Sequence, residues 1–394
     1  MKTILDRAER FWKVSQSALG PMKFQQKRLE ARGADIIDLS MLQMDLPENE
    51  PFRESISGID PIDFTKPAQE NNLLELKETI IEHHQPLRNV SIDSEKEIAI
   101  IPGVKIGLTF LALSLLNKGD VATYPDPGHS FYRSAICLSD GEPSPYLLTE
   151  ASDYVANISS LALPPERKLK MMFINYPHNP TGAMVDYYFY RDLLKEIKLE
   201  NILLVTDCAF NHPGDSEAIS PLQVPGARKK TIEFHSFSTT FGIRGLGYAI
   251  GHRDAIAILN DILQSVGFSI YCGRASLASF AMKNAKAVFR DRKEILNRKR
   301  EIMANGLKEI GWSLRAPRLS PYIWVKAPVW GSSLAFTRRL FIKAGIRAIS
   351  GTDFGEQGEG WIRLSIWRDD EVLKESLLRI SSHSKIWQRK IKSK

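Results

Sequence analysis

Residues 171–182 read MMFINYPHNPTG, an apolar run that ends in an amide side chain and a turn rich in proline and glycine. A short run without alternating polar positions is typical of a strand buried on both faces, and the turn residues end it. The runs at 120–124, 202–207 and 231–236 have the same character, and apolar helical stretches such as 107–116 separate them. Strands that alternate with helices predict an α/β fold, in which helices cover a mostly parallel sheet.

Polar side chains follow the ends of two of these strands, at the edge where a parallel sheet binds its ligands. Asn179 follows the strand at 171–175, and Asp207 ends the strand at 202–207, where a buried carboxylate requires a cation or a donor such as a pyridinium N–H. After the strand at 231–236, the segment SFSTTFGIRGLGY (236–248) offers hydroxyls and backbone N–H groups that can hold a phosphate. Taken singly, Asn179 also suits a plain turn, and Asp207 suits a helix cap or turn.

The C-terminal part of the chain has a different character. A charged helical pattern at 275–308 predicts one long helix, and short strands at 322–325 and 361–366 alternate with helices, which predicts a smaller α+β domain. The expected division is an N-terminal arm with part of the small domain (1–50), a large domain (51–285) and the C-terminal small domain (286–394).

The composition argues against several classes of protein. The 394 residues carry a formal net charge of +7, but the basic residues form short runs typical of solvated surface, without the aromatic-studded stripe of a nucleic-acid interface. The three cysteines lie far apart without metal-ligand spacing, which predicts reduced thiols and no metal site. The N-terminus is too charged for a signal sequence, and no apolar run is long enough to cross a bilayer. We therefore expect a cytoplasmic protein that binds neither membranes nor nucleic acid.

The order of these features resembles that of the class I/II aminotransferases, the fold-type I enzymes that use pyridoxal 5'-phosphate (PLP). The resemblance runs from about residue 30 to residue 385 and includes the turn PGVKIG at 102–107, the loop YPDPGHSFY at 124–132 and the segment FGEQGEGWIRLS at 354–365. It implies the fold of a fold-type I PLP-dependent transferase, with a large domain and a smaller α+β domain. It also implies a homodimer, because the active sites of the family lie between two subunits.

The resemblance assigns roles to individual residues. Asp207 would pair with the ring nitrogen of PLP, Asn179 would bond to the ring hydroxyl, and Arg363 would clamp a substrate carboxylate with its bidentate fork. An internal ion pair between the domains is the alternative role for Arg363. The residues that the resemblance brings to the cofactor are Val104, Lys105, His129, Asn179, Asp207, Phe210, Ser236, Ser238 and Arg244. Those that it brings to the substrate are Ser40, Leu42, Asn179 and Arg363.

The sequence departs from the family pattern at the catalytic centre. Thr239 stands where the family has the lysine that binds PLP covalently, and the following loop is two residues short and lacks the phosphate-binding arginine, for which Arg244 is the nearest substitute. Phe210 replaces a tyrosine; His129 replaces the usual stacking aromatic and is a candidate base, although packing is its commoner role. Proton transfer by a positioned base such as the lysine is typically worth ~10²–10⁴-fold. We therefore expect no ordinary transamination and only noncovalent binding of PLP or pyridoxamine 5'-phosphate (PMP).

Three functions remain open. The first, which we favour, is an aminotransferase-like protein that binds PLP, PMP or a related ligand noncovalently, together with an amino or 2-oxo acid. The second is a catalytically inactive homologue that serves as the partner or regulatory subunit of an active enzyme. The third is an aminotransferase acting on an amino acid and a 2-oxo acid. The two missing residues count against the third, because a change of the lysine alone would not delete them.

Overall fold

The computed structural model describes residues 8–14, 33, 35–41, 50–87, 89–157, 169–197, 202–328 and 331–383. The strands, numbered in chain order, are β1 (Ile37–Asp38), β2 (Ile98–Ile101), β3 (Val121–Asp126), β4 (Glu142–Leu147), β5 (Leu169–Asn175), β6 (Leu203–Asp207), β7 (Thr231–Ser236), β8 (Gly247–Gly251), β9 (Leu314–Arg315), β10 (Tyr322–Lys326), β11 (Ile346–Arg347), β12 (Ile349–Ser350) and β13 (Trp361–Ser365). The α-helices are α1 (Glu9–Trp12), α2 (Glu50–Ser57), α3 (Glu70–His83), α4 (Val104–Leu115), α5 (Phe131–Leu138), α6 (Tyr187–Glu196), α7 (Phe237–Phe241), α8 (Arg253–Ser265), α9 (Cys272–Lys283), α10 (Ala285–Glu309), α11 (Ser333–Ala344) and α12 (Asp370–Ser382).

Seven strands form the larger sheet, in the order β2-β8-β7-β6-β5-β3-β4. Strands β3 to β7 run parallel to their neighbours within that group, whereas β8 pairs antiparallel with both β2 and β7. All of β7 and most of β5 and β6 are buried, as runs without alternating polar positions predict. The expected α/β fold with a mostly parallel sheet is confirmed.

Helices cover both faces of this sheet. Alternate residues of β2 point into different cores: Ile98 and Ile100 belong to one, and Ala99 and Ile101 belong to the other. Helices α3 and α9 contribute to the first core, and α4 and α8 contribute to the second. Within the described ranges, no helix combines the length and apolarity that a membrane crossing requires.

A smaller unit is built around a second sheet. Its four strands are antiparallel in the order β12-β13-β10-β9, and β1, from the N-terminal part of the chain, pairs in parallel with β11. Helices α10, α11 and α12 pack on it through a core that includes Met303, Leu340, Leu364 and Leu373. The smaller α+β domain is confirmed, and the residue boundaries between the domains stay predictions.

The single long helix predicted at 275–308 is wrong, because the chain forms two helices, α9 and α10, that meet at Asn284. The Nδ2 of Asn284 donates a hydrogen bond to the backbone oxygen of Phe280 at 2.9 Å, which satisfies a carbonyl at the end of α9. The start of α10 also brings the oxygen of Ala285 against Gly214, where a Cβ would lie 2.1 Å from that oxygen. The break is set by these local contacts, which the charge pattern does not reveal.

Candidate active site

Asp207 lies at the carboxyl end of β6, at the edge of the sheet, next to the end of β5. Its carboxylate is buried and accepts hydrogen bonds from the hydroxyl of Tyr132 at 2.7 Å and from the backbone N–H of Ala209 at 3.0 Å. Burial raises the pKa of Asp207, while these two bonds and the ammonium of Lys105 act in the opposite direction. The side chain of Asn175 holds the strand end by donating to the backbone oxygen of Asp207 at 2.8 Å. Asp207 does not cap a helix, and a carboxylate held in this way can accept a further bond from a ring N–H.

Arg363, on β13 of the smaller sheet, is 4% exposed. Its two terminal nitrogens donate to Oδ1 of Asn179 at 2.8 Å and to the backbone oxygen of Ser40 at 3.0 Å, and its Nε has no hydrogen-bond partner. The guanidinium lies 3.8 Å from the ring centroid of Tyr322 and 4.8 Å from that of Phe354. In the described part of the chain, Arg363 forms no ion pair with a carboxylate, so the internal pair considered from the sequence is not found there. A buried cation without a counter-ion is suited to an anionic ligand.

The N-terminal end of α4 opens beside these residues. Gly103, with φ +99°, precedes the helix, and no side chain caps it. The first N–H groups, at Val104 and Lys105, are therefore suited to an anion such as a phosphate. His129 lies against the ring of Phe131, with centroids 4.8 Å apart, and burial, Lys105 and Arg363 together lower the pKa of His129 well below its ordinary value. Its imidazole is therefore neutral near pH 7.

Thr239 lies in the first turn of the short helix α7. Ser236 caps this helix, because its Oγ accepts a hydrogen bond from the backbone N–H of Thr239 at 3.1 Å. The hydroxyl of Thr239 donates to the backbone oxygen of Ala209. The Thr239 side chain therefore braces the loop after β6 and offers no amine.

The shortened loop after α7 uses a hydroxyl that the resemblance assigns to the phosphate. The Oγ of Ser238 donates to the backbone oxygen of Ile243 at 3.2 Å and accepts from the N–H of Gly245 at 3.2 Å. Arg244 is exposed, and its backbone oxygen accepts a bond from Arg274 at 2.8 Å. The role of Ser238 and Arg244 at a phosphate stays a prediction, and Arg274, on α9, is another cation beside this loop.

Three further residues named from the sequence have mixed outcomes. The ring of Phe210 meets that of Tyr322 edge-on, with centroids 5.7 Å apart, and it has no hydroxyl to give to a ligand. The backbone oxygen of Ser40 accepts a bond from Arg363 and its hydroxyl donates to Asp38, so a contact of Ser40 with substrate stays a prediction. Leu42 lies outside the described residues.

Two residues that shape this site received no role from the sequence. Tyr132, which bonds to Asp207, is the last residue of the 124–132 loop, and Asn175 is the last residue of its strand. The position of Asn175 at a strand end was a usable signal, whereas nothing in the sequence links Tyr132 to Asp207. Beside Thr239 lies a pocket of about 40 Å³, lined by residues that include Phe210, His212, Phe289 and Lys293.

A second polar cluster lies in the core beneath the site. Cys208, Glu233 and His235 are buried, and one ligand-type atom of each lies within 4.8 Å of the others. The Nε2 of His235 is 2.9 Å from Oε2 of Glu233, and the hydroxyl of Ser220 donates to Oε1 of the same carboxyl group. Burial raises the pKa of Glu233 to about 7 and lowers that of His235 to about 3. These bonds describe a hydrogen-bonded network that the widely spaced sequence positions do not predict.

Comparisons with known proteins agree on one family. The profile of the family described as aminotransferase class I and II matches residues 67–380. LL-diaminopimelate aminotransferase from Halothermothrix orenii is 29% identical over 361 residues, or 90% of this chain and 92% of that protein. The protein of the same name from Maridesulfovibrio salexigens is 30% identical over 358 residues, or 89% of this chain and 92% of that protein. Substrate-bound BacF from Bacillus subtilis superimposes with a TM-score of 0.88 at 28% identity, covering 97% of this chain and 98% of that chain. These likenesses confirm the fold expected from the sequence.

Proposed function

The chain belongs to the class I and II aminotransferases, and we propose that it exchanges an amino group between an amino acid and a 2-oxo acid, with PLP as its cofactor. Relatives named LL-diaminopimelate aminotransferase match most of the chain, which supports the third of the functions left open by the sequence. The observation that carries the proposal is the buried guanidinium of Arg363, which has an unused Nε donor and no ion pair among the described residues. A carboxylate is the group that meets such a fork with two parallel hydrogen bonds.

The residues present fit most of the cofactor. The carboxylate of Asp207 is buried and open to a further donor, the N-terminal end of α4 is uncapped, and the hydroxyl of Ser236 stands at the end of the neighbouring strand. Thr239 does not fit a covalent attachment, and Phe210 does not fit a bond to the ring hydroxyl. When bound, PLP supplies an electron sink for the charge that develops on the substrate carbon.

Each side chain then has a defined task. Asp207 would keep the ring nitrogen of PLP protonated by presenting a negative charge to it, and Tyr132 fixes the orientation of that carboxylate. Arg363 binds and orients the substrate carboxylate, while Asn179 holds the guanidinium in place from the opposite domain. Because Arg363 is enclosed by the rings of Tyr322 and Phe354, water is excluded from the ion pair, which strengthens it.

Calorimetric titration of the PMP-loaded protein with a panel of 2-oxo acids tests the proposal, with chromatography of the mixture for newly formed amino acid. Arg363→Lys loses the bidentate fork, so we expect its affinity to fall about tenfold or more, which corresponds to ~1.5–3 kcal/mol for a charged hydrogen bond. Arg318→Lys is the matched control, because Arg318 is exposed and its guanidinium pairs with Glu217. If no acid binds, or if Arg363→Lys melts early and binds normally, the proposal fails.

The inactive partner subunit is the second candidate function, and one observation favours it. The Thr239 hydroxyl is engaged by the oxygen of Ala209, so the position that carries the family's amine has a bracing role. The same titrations separate the two candidates. Binding of PMP and a 2-oxo acid without any amino acid product would favour the noncatalytic function over the aminotransferase.

A homodimer is part of the proposal. Ile62, Phe64 and Tyr271 are apolar side chains that are 40% to 48% exposed, and Tyr271 is bridged through Pro67 to the segment that follows Phe64. Such exposed side chains are suited to burial against a second copy of the chain. Sedimentation equilibrium of the purified protein tests this. A mass of one chain at micromolar concentration would contradict the homodimer.

A further inference from the structure

An aminotransferase needs an amine of its own. A lysine side chain both attaches the cofactor and carries the proton between the substrate carbon and the cofactor. Thr239 can do neither, because its hydroxyl has no useful pKa and is bonded to Ala209. Any activity of the kind proposed above therefore requires an amine from another element of the site.

Lys105 is the second residue of α4, at the helix end that has no side-chain cap. Its Nζ is 5.8 Å from the ring centroid of Phe131, and that ring contacts the rings of both His129 and Tyr132, with centroids 4.8 Å and 4.3 Å away. Tyr132 in turn bonds to Asp207. Two aromatic rings, those of Phe131 and Tyr132, thus lie between the Lys105 ammonium and the carboxylate of Asp207.

The charges around Lys105 point to the same place. Its ammonium interacts with the carboxylate of Asp207 and the guanidinium of Arg363, and it also lowers the pKa of His129. The surface of the Lys105 side chain is open to solvent, so a ligand can reach it. Although the side chain is exposed, the surrounding protein partly desolvates the ammonium, which lowers the pKa of Lys105. The carboxylate of Asp207 opposes this shift, and the guanidinium of Arg363 adds to it. A lowered pKa increases the fraction of neutral amine, which is the nucleophilic form.

We infer that Lys105 supplies the amine that Thr239 does not, by forming an imine with the aldehyde of PLP. The neutral Nζ attacks the aldehyde carbon, a C=N bond replaces the C=O bond, and the oxygen leaves as water with the two amine hydrogens. The amine of an incoming amino acid then attacks the C=N carbon, Lys105 leaves as the free amine, and this amine carries a proton at the substrate carbon. This inference rests on the proposed function, and it replaces the noncovalent binding expected from the sequence.

Reductive trapping and peptide mapping test the inference without any measurement of activity. The full chain is incubated with one equivalent of PLP, reduced with borohydride and digested, and the modified lysines are located by mass spectrometry. We expect the pyridoxyl group on Lys105, and we expect prior saturation with PMP to prevent the modification, because PMP fills the ring site but has no aldehyde. Modification of surface lysines is not protected by PMP.

Two variants make the outcome decisive. Lys105→Arg keeps the positive charge but has no imine-forming amine, so the protected adduct should disappear. Lys293→Arg changes the lysine that lines the pocket beside Thr239, and the adduct on Lys105 should persist. A PMP-protected adduct on Lys293, or binding of PMP without any protected adduct on Lys105, overturns the inference and leaves the proposed function intact. Failure to bind both PMP and 2-oxo acids overturns both.

Discussion

The hydroxyl of Thr239 donates a hydrogen bond to the backbone carbonyl oxygen of Ala209 at a distance of 2.5 Å. Ala209 lies two residues after Asp207, whose carboxylate accepts a bond from the Ala209 N–H. Thr239 and Asp207 therefore hold the same short loop from its two sides. Thr239 is thus part of the scaffold that holds the loop after β6.

Thr239→Val tests this bracing role, because valine keeps the shape of threonine and removes the hydroxyl. We expect the free energy of unfolding to fall by about 1 kcal/mol, the usual net worth of one intramolecular hydrogen bond. The affinity for PMP and for 2-oxo acids should change little. Denaturant unfolding and calorimetry measure the two effects, and a variant of normal stability that has lost its ligand affinity would instead indicate that the hydroxyl contacts the ligand.

Thr239→Lys places an amine where the resemblance expects the family's lysine, but we expect amino transfer to stay within about tenfold of the parent rate. A positioned base is worth ~10²–10⁴-fold only when its partners are in place. Here Phe210 has no hydroxyl for the ring oxygen, and Ser238 is held by the shortened loop. The added Phe210→Tyr change should raise the rate above that of the single variant. Robust turnover by Thr239→Lys alone would mean that the pocket lacks nothing but the lysine.

The strand ends explain which site residues the sequence can predict. Asn175 and Asp207 are register partners on adjacent parallel strands, so two segments far apart in the chain must meet at one edge of the sheet. The contact between Tyr132 and Asp207 depends on how α5 packs over that edge, and no periodic pattern encodes it. Ser40 contacts Arg363 through its backbone oxygen. This contact could not be predicted, because the sequence does not tell in which direction a backbone carbonyl points. The antiparallel β8 was also missed, because its buried residues look like those of its parallel neighbours.

Tyr132→Phe should weaken the binding of PMP through its protonated pyridine ring. The tyrosine hydroxyl donates to Oδ2 of Asp207 and lowers the pKa of that buried carboxyl group, which burial raises. Without this bond the pKa of Asp207 rises further, so a larger fraction is protonated and cannot pair with a ring N–H. The loss should be about 1.5–3 kcal/mol, as for other hydrogen bonds to charged groups.

The measurement is the affinity for PMP across a range of pH. In Tyr132→Phe, the affinity should fall toward acid pH earlier than in the parent, because Asp207 loses its charge at a higher pH. Tyr188→Phe is the control, since Tyr188 is 60% exposed on the surface. An unchanged pH profile in Tyr132→Phe would show that Asp207 does not depend on this hydroxyl.

Gly355→Ala should disturb the contact between the two domains. Gly355 has φ +128°, and a Cβ there would lie 2.1 Å from Oδ1 of Asp126, the last residue of β3. Asp126 accepts bonds from the N–H groups of Glu356 and Gln357 at 3.1 Å and 3.0 Å, so the clash displaces the segment that leads to Arg363. We expect a loss of roughly 3 kcal/mol or more in unfolding free energy, because overpacking adds to backbone strain, and weaker binding of 2-oxo acids.

Gly360→Ala is the matched control for that experiment. Gly360 also has a positive φ, +83°, but a Cβ there meets nothing within 4 Å. It should cost only about 1–2 kcal/mol from the left-handed backbone conformation. Equal losses for the two variants in denaturant unfolding would mean that the contact with Asp126 adds nothing to the strain.

Glu233→Gln should change how stability depends on pH. Glu233 is fully buried and receives bonds from Ser220 and the backbone N–H of Leu222, and burial raises its pKa from 4.5 to about 7. Between these two values the folded protein binds a proton that the unfolded chain does not. The stability contributed by this proton is absent at pH 8 and grows as the pH falls, by up to about 3 kcal/mol near pH 5. Glutamine removes this dependence.

Buried histidines act in the opposite direction, so the comparison between the parent and Glu233→Gln is what isolates the carboxyl group. Burial lowers the pKa of His84, His178, His212 and His235 below the ordinary value of 6.5. In the folded protein these histidines do not take up the protons that they bind in the unfolded chain. They therefore reduce the free energy of unfolding as the pH falls below 6.5. Both proteins carry these histidines, and the difference between their unfolding free energies should therefore shift in favour of the parent from pH 8 to pH 5. Glu196→Gln, at an exposed position, should leave that difference flat, and a flat difference for Glu233→Gln would mean that its carboxyl group is already ionised throughout this range.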